Sequence, residues 1–121
     1  MLGALGAEVY SVERVAELAE TARGVLDELG YGDVRVRIGD GSLGWPEEAP
    51  FDRILLTAAA PSVPPTLRAQ LDAHGGRLVA PVGTRHLQEL VVIERFGTTW
   101  TTEHLLECRF VPLLGEHGWS P

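Results

Sequence analysis

Two hydrophobic periodicities alternate along this chain of 121 residues, and that alternation restricts its fold more than any other feature. Val15, Leu18, Ala19, Ala22, Val25, Leu26 and Leu29 recur at the spacing of an amphipathic helix, closed by Gly30 and Gly32. Before them lies a β-branched and aromatic run, Val9 to Val12. After them Val34, Val36 and Ile38 alternate with Arg35 and Arg37, the pattern of a strand. Ile54-Leu55-Leu56 is a continuous apolar run, as expected of a parallel strand covered on both faces. Pro64-Pro65 suits a helix start, Leu67 and Leu71 give that helix an inward side, and Gly75-Gly76 is expected to end it. Leu78 to Val82 reads as the next strand. The order β-α-β-β-α-β implies an α/β fold with a mostly parallel sheet. Leu90 to Glu94, a turn around Gly97 and a β-rich stretch toward Leu113 add an antiparallel pair at its C-terminal end. The length is that of a single domain, expected to span 1–121.

Composition narrows the function. Ten basic residues, all arginine, against seventeen acidic ones give a net charge of −7. A nucleic-acid partner needs a basic footprint, and an anionic membrane surface needs the same, so neither is expected. Cys108 is the single cysteine, which excludes an intrachain disulfide. With no apolar stretch of membrane-spanning length and no basic N-terminal region, the chain reads as a cytoplasmic protein.

Several residues carry chemistry worth weighing. Gly39-Asp40-Gly41-Ser42-Leu43-Gly44 matches the G-x-G-x-x-G pattern of dinucleotide binding. That pattern must open a helix whose N-terminus holds phosphate, whereas Trp45-Pro46-Glu47-Glu48-Ala49-Pro50 follows here. No helix is expected there, and two acids would face the anion. Glu13 stands at the carboxyl end of a strand, where an acid accepts hydrogen bonds from ribose hydroxyls; the same residue is also a favourable acid at a helix start. Asp40, held between two glycines, is an acceptor for an exocyclic amine or an Asp-Gly turn residue. His74, His86, His104 and His117 lack metal-ligand spacing with one another or with Cys108, so no metal site is expected and they read as surface residues. No G-x-S-x-G elbow accompanies the available Ser, His and Asp. Cys108 reads as a core residue.

A longer series of segments adds a resemblance. Val9-Tyr10-Ser11-Val12-Glu13-Arg14, Gly39-Asp40-Gly41 with Gly44-Trp45-Pro46, and Phe51 to Ile54 running into Ala58-Ala59-Ala60-Pro61 occur in that order. Gly75-Gly76-Arg77-Leu78-Val79, Pro81-Val82-Gly83 and Arg109-Phe110-Val111-Pro112-Leu113 follow. The series resembles the protein-L-isoaspartate O-methyltransferases, with Ala58 to Pro61 and Arg109 to Leu113 its more specific parts. Ala73-His74 stands where the family usually has Lys-Pro.

The resemblance implies a Rossmann-like sheet and S-adenosyl-L-methionine as cofactor. It implies methyl transfer to the α-carboxylate of L-isoaspartyl residues in damaged peptides and proteins. The ester then closes to a succinimide whose hydrolysis returns some normal aspartate, a protein repair. Because the nucleophile is already a carboxylate, such catalysis rests on alignment and desolvation more than on acid–base groups. Carried over residue by residue, Glu13 and Arg14 fall at the ribose edge, and Asp40 and Gly41 at the adenine edge. Thr57 and Ala58 line the crevice at the end of the next strand, and Pro81, Val82, Gly83, Val111 and Pro112 shape the peptide side, or serve only as strand-end packing. No catalytic residue is assigned.

The family also carries an upstream Gly-rich cofactor loop and first strand that have no counterpart here, so the chain is expected to be the C-terminal part of such an enzyme. Met1 to Ala7 reads as the end of the preceding helix. Strands left unpaired by that gap would favour self-association. A non-catalytic binding module and another small Rossmann-fold methyltransferase are the alternative readings.

Overall fold

The computed structural model describes residues 7–120; the reading of Met1 to Ala7 as a helix end falls almost wholly outside them. The chain divides into two compact units, one ending at Gly41 and the other beginning at Ser42.

The first unit is a β-α-β element. Strand β1 (Tyr10–Glu13) and strand β2 (Arg35–Ile38) pair in parallel, with helix α1 (Ala16–Glu28) as the crossover. Arg23 secures the return from the helix: its guanidinium donates to the carbonyl oxygens of Val34 and Tyr31 and pairs with Asp27 at 3.1 Å. The apolar stripe of α1 lies where the periodicity puts it, yet only Ala19 is buried. Val15, Leu18, Val25 and Leu29 are 47%, 57%, 48% and 66% exposed. Two strands of four residues present too little surface to cover a helix of thirteen.

In the second unit a four-stranded sheet runs in the order β3 (Arg53–Leu55), β4 (His74–Gly83), β5 (Gln88–Phe96), β6 (Thr99–Cys108). β3 and β4 are parallel, and β4, β5 and β6 are antiparallel. Helix α2 (Pro65–Ala69) is short and starts on its proline, as the sequence suggests. Its residues Leu67, together with Leu71, pack against Leu56, Leu78, Ala80, Val91 and Ile93 to form the core. The antiparallel pair turns at Gly97, whose positive φ of 64° is a conformation glycine adopts without strain.

Three expectations need correction. Gly75-Gly76 does not end a helix: α2 stops at Ala69, because Leu71 already pairs with Phe51 and draws the chain into the sheet. The two glycines instead sit in an irregularity at the start of β4, where a side chain on Gly76 would lie 2.5 Å from the Asp72 carbonyl oxygen. The last strand ends at Cys108 and does not continue toward Leu113, since residues 109–111 find partners elsewhere, described below. Two 3₁₀ turns, Gly41–Leu43 and Pro46–Glu48, do form in the loop where no helix was expected; proline starts the second, and Glu47 and Glu48 occupy it.

Leu78 is fully buried at the centre of the core. Leu78→Ala is therefore expected to cost about 2–5 kcal/mol, against less than about 1 kcal/mol for Leu105→Ala on the exposed face of β6. Urea unfolding of the two variants checks this; equal losses would place the core elsewhere.

Candidate functional site

The second unit builds its site around the carboxyl end of β3. Parallel pairing continues one residue past the strand, with the Leu56 N–H donating to Val79 O at 2.9 Å. The chain then bends at Thr57 and Ala58 and enters two isolated parallel bridges on opposite sides, Ala59 with Pro112 and Ala60 with Val82. The Ala59 N–H donates to Val111 O at 2.7 Å, and the Leu113 N–H returns a bond of 2.7 Å to Ala59 O. The Ala60 N–H donates to Pro81 O at 3.0 Å, and the Gly83 N–H donates to Ala60 O at 3.0 Å. Ala59 and Ala60 are buried, which accounts for side chains no larger than a methyl group. So Thr57 and Ala58 stand at a bend flanked by Pro81, Val82 and Gly83 on one side and by Val111 and Pro112 on the other. Thr57 is exposed, Ala58 and Pro112 are half-buried, and Val111 is 69% exposed.

Two buried glutamines hold the surrounding loops, and the sequence reading missed both. Gln88, 2% exposed, accepts the Phe110 N–H on Oε1 at 2.8 Å and donates from Nε2 to Thr84 O at 2.7 Å. One side chain thus ties the loop after Gly83 to the segment before Val111. That engagement is why residues 109–111 leave the sheet. Gln70 accepts the Trp45 N–H at 3.0 Å and donates to Leu43 O at 2.8 Å. Gly44 sits between these bonds at φ 65°, where an added side chain would lie 2.3 Å from the Gln70 Oε1. The last glycine of the G-x-G-x-x-G match therefore serves loop closure onto α2. No local pattern marks Gln88: by alternation it shares the face of Leu90 and Val92, opposite the core residues Val91 and Ile93. Beyond Pro112 the chain returns over Ser42, whose Oγ accepts the His117 N–H at 3.1 Å.

In the first unit, the Glu13 carbonyl at the end of β1 accepts the Gly39 N–H at 2.9 Å, setting Asp40 just beyond the neighbouring parallel strand. The Glu13 carboxylate accepts the Val15 N–H at 3.2 Å, so the helix-start role is real. Its other oxygen has no partner among the described residues. Arg14 is exposed, and Asp40 and Gly41 are half-buried. A side chain on Gly39 would meet nothing within 4 Å, which leaves open space beside Asp40.

The remaining candidates do not join either cluster. His74, His86 and His104 are exposed, and His104 pairs with Glu89 at 2.9 Å. Cys108 is half-buried at the end of β6. Among the described residues no three of His, Cys, Asp and Glu are grouped to hold a metal ion, and no helix is long and apolar enough to cross a membrane.

The family profile described as Protein-L-isoaspartate(D-aspartate) O-methyltransferase (PCMT) matches residues 1–118. The chain belongs to the protein-L-isoaspartate O-methyltransferase family. Over 99% of its length it is 53% identical to the protein-L-isoaspartate O-methyltransferase of Syntrophus aciditrophicus, covering 56% of that protein. Against the enzyme of the same name from Trichlorobacter lovleyi it is 52% identical over 99% of its length, covering 55%. The chain thus spans about half the length of the curated relatives it matches. A solved protein-L-isoaspartate O-methyltransferase superposes on 91% of this chain and 35% of its own, with a TM-score of 0.81 at 32% identity. Ala58 to Pro61 and Arg109 to Leu113, two of the segments that carry the resemblance, are joined here by backbone bonds.

Gln88→Leu leaves the Phe110 N–H and the Thr84 carbonyl without their partner in a buried setting. An unmade buried hydrogen bond costs about 1–3 kcal/mol, so unfolding free energy should fall by at least that much, with little change for the exposed Glu89→Ala. Denaturant titration of both variants reads the difference; a Gln88→Leu variant as stable as the parent would remove the glutamine from this role.

Proposed function

We propose that this chain forms part of an S-adenosyl-L-methionine-dependent methyltransferase acting on the α-carboxylate of L-isoaspartyl residues in damaged proteins, a cytoplasmic repair enzyme. Family membership supports the reaction class. The observation that carries the assignment to this chain is the pairing of Ala59 and Ala60 with the Pro81 to Gly83 and Val111-Pro112 segments, which gathers the family's specific residues at one strand end. We assign both units to one domain spanning 1–121.

In this reading Glu13 and Arg14 bind the ribose, and Asp40 and Gly41 the adenine edge. Thr57 and Ala58 line the crevice. Pro81, Val82, Gly83, Val111 and Pro112 form the wall against the isoaspartyl peptide. The acceptor set suits the cofactor: among the described residues Glu13 keeps one carboxylate oxygen without a partner at the end of a parallel strand, the position where ribose hydroxyls are bound in such sheets. S-adenosyl-L-methionine, when bound, supplies a methyl group on a sulfonium centre. The chain's part is to hold the peptide carboxylate in line and to exclude water, and its apolar, backbone-built wall suits both tasks. Protein and peptide carboxylates, not nucleic acid or membrane, are the proposed partners. Self-association belongs to the same reading. Among the described residues β1 pairs only with β2 and β3 only with β4, so each has an edge open to a second copy. Light scattering at twice the monomer mass would support that contact, and a monomer at high concentration would remove it.

The cofactor assignment is tested in a chain extended upstream by the corresponding half of the Syntrophus relative. Glu13→Ala should weaken S-adenosyl-L-methionine binding about tenfold or more, the cost of a lost charge-assisted hydrogen bond. Glu17→Ala, exposed in the first turn of α1, should leave it unchanged. Calorimetric titration giving the two variants equal dissociation constants would take Glu13 out of the site.

A further inference from the structure

We infer that Arg68, Trp100 and Arg95 form a receptor for an oxyanion, a phosphate or carboxylate group, separate from the residues assigned to cofactor and peptide. Arg95 on β5 and Trp100 on β6 are directly opposed in the sheet register, and Arg68 reaches them from α2. Each guanidinium carbon lies 5.2 Å from the centroid of the Trp100 ring, so their separation is at most twice that distance. The indole face attracts each cation, but it does nothing for their in-plane N–H donors.

Those donors are unequally used. Arg95 is held rigidly, with Nε donating to Gly97 O at 3.1 Å and Nη1 to Leu71 O at 2.9 Å. Its Nη2 has no partner among the described residues. Arg68 has none for any of its nitrogens there, and its Nε is buried with no acceptor. The stacked Arg85, by contrast, bonds Ser120 O at 2.9 Å from Nη2 while lying over Trp119. Among the described residues no carboxylate pairs with either Arg68 or Arg95, although the chain carries seventeen acids. The nearest acid in sequence, Glu94, faces the other side of the sheet and pairs with Arg77 at 3.0 Å.

Two cations beside one ring, Arg68 with both Nη groups unused and Arg95 with its Nη2 unused, call for an anion with several acceptor oxygens. With its Nε buried, Arg68 offers its two Nη groups, which match two oxygens of a carboxylate or phosphate, and a third oxygen would take the Arg95 Nη2. Trp100 is 37% exposed and both arginines are half-buried, so the cluster is open to solvent on one side.

The test uses the full chain labelled with nitrogen-15, following the arginine Nε–H and tryptophan Nε1–H resonances. Inorganic phosphate and succinate are titrated separately at ionic strength held constant with sodium chloride. Saturating shifts at Arg68, Arg95 and Trp100 are expected in at least one arm; phosphate alone would identify a tetrahedral anion, succinate alone a carboxylate. Arg68→Gln and, independently, Arg95→Gln should weaken that saturation at least tenfold, and Arg85→Gln should not change it. Shifts that never saturate, that follow chloride equally, or that persist in both Arg68→Gln and Arg95→Gln would overturn the assignment.

Discussion

The second unit's part of the candidate site depends on four backbone hydrogen bonds made by two alanines. Ala59 and Ala60 leave β3 and, within two residues, bond outward to different neighbours: Val111 and Leu113 on one side, Pro81 and Gly83 on the other. A buried peptide group must find partners, and these partners are supplied by segments distant in sequence. The strand end is thereby fixed between the end of β4 and a piece of chain that has already left the sheet. Methyl side chains are what that closeness permits. A strand end built this way owes its shape to main chain, which supports the proposed role of aligning a peptide carboxylate rather than supplying acid–base groups.

The glutamines extend the same principle one layer outward. Gln88 and Gln70 each use both ends of the amide, and each fastens a loop that has no regular structure of its own. Buried amides satisfied at both ends specify one arrangement of those loops, because any other leaves polar groups stranded. In the first unit Arg23 plays a comparable part, and the helix shows four large apolar side chains to solvent.

How much of this could be read from the sequence differs by element. β1, α1, β2, β3 and β4 follow from periodicity, since the pleat and the helical turn each leave a regular mark at Val36, Leu18 or Leu78. Burial does not follow so directly: the stripe on α1 is correctly periodic and yet exposed, because periodicity records which side faces a neighbour and not how large that neighbour is. The start of β4 was misjudged for a related reason. Gly75-Gly76 looks like a helix stop, but α2 has already ended at Ala69, and Gly76 is required by a tight turn that brings its N–H to the Asp72 carbonyl. At the site, Thr57, Ala58, Pro81 and Val111 came from family resemblance. The bridges that unite them lie between residues more than twenty or fifty positions apart, and no local pattern reports them.

Amide hydrogen exchange on the full chain tests this architecture most directly. The Ala59, Ala60, Gly83 and Leu113 amides should be protected as one group, at levels close to those of the central β4–β5 amides such as Leu78. Ala59 and Leu113 exchanging at unprotected rates while Leu78 stays protected would mean that the C-terminal segment does not close on β3, and the proposed peptide wall would go with it.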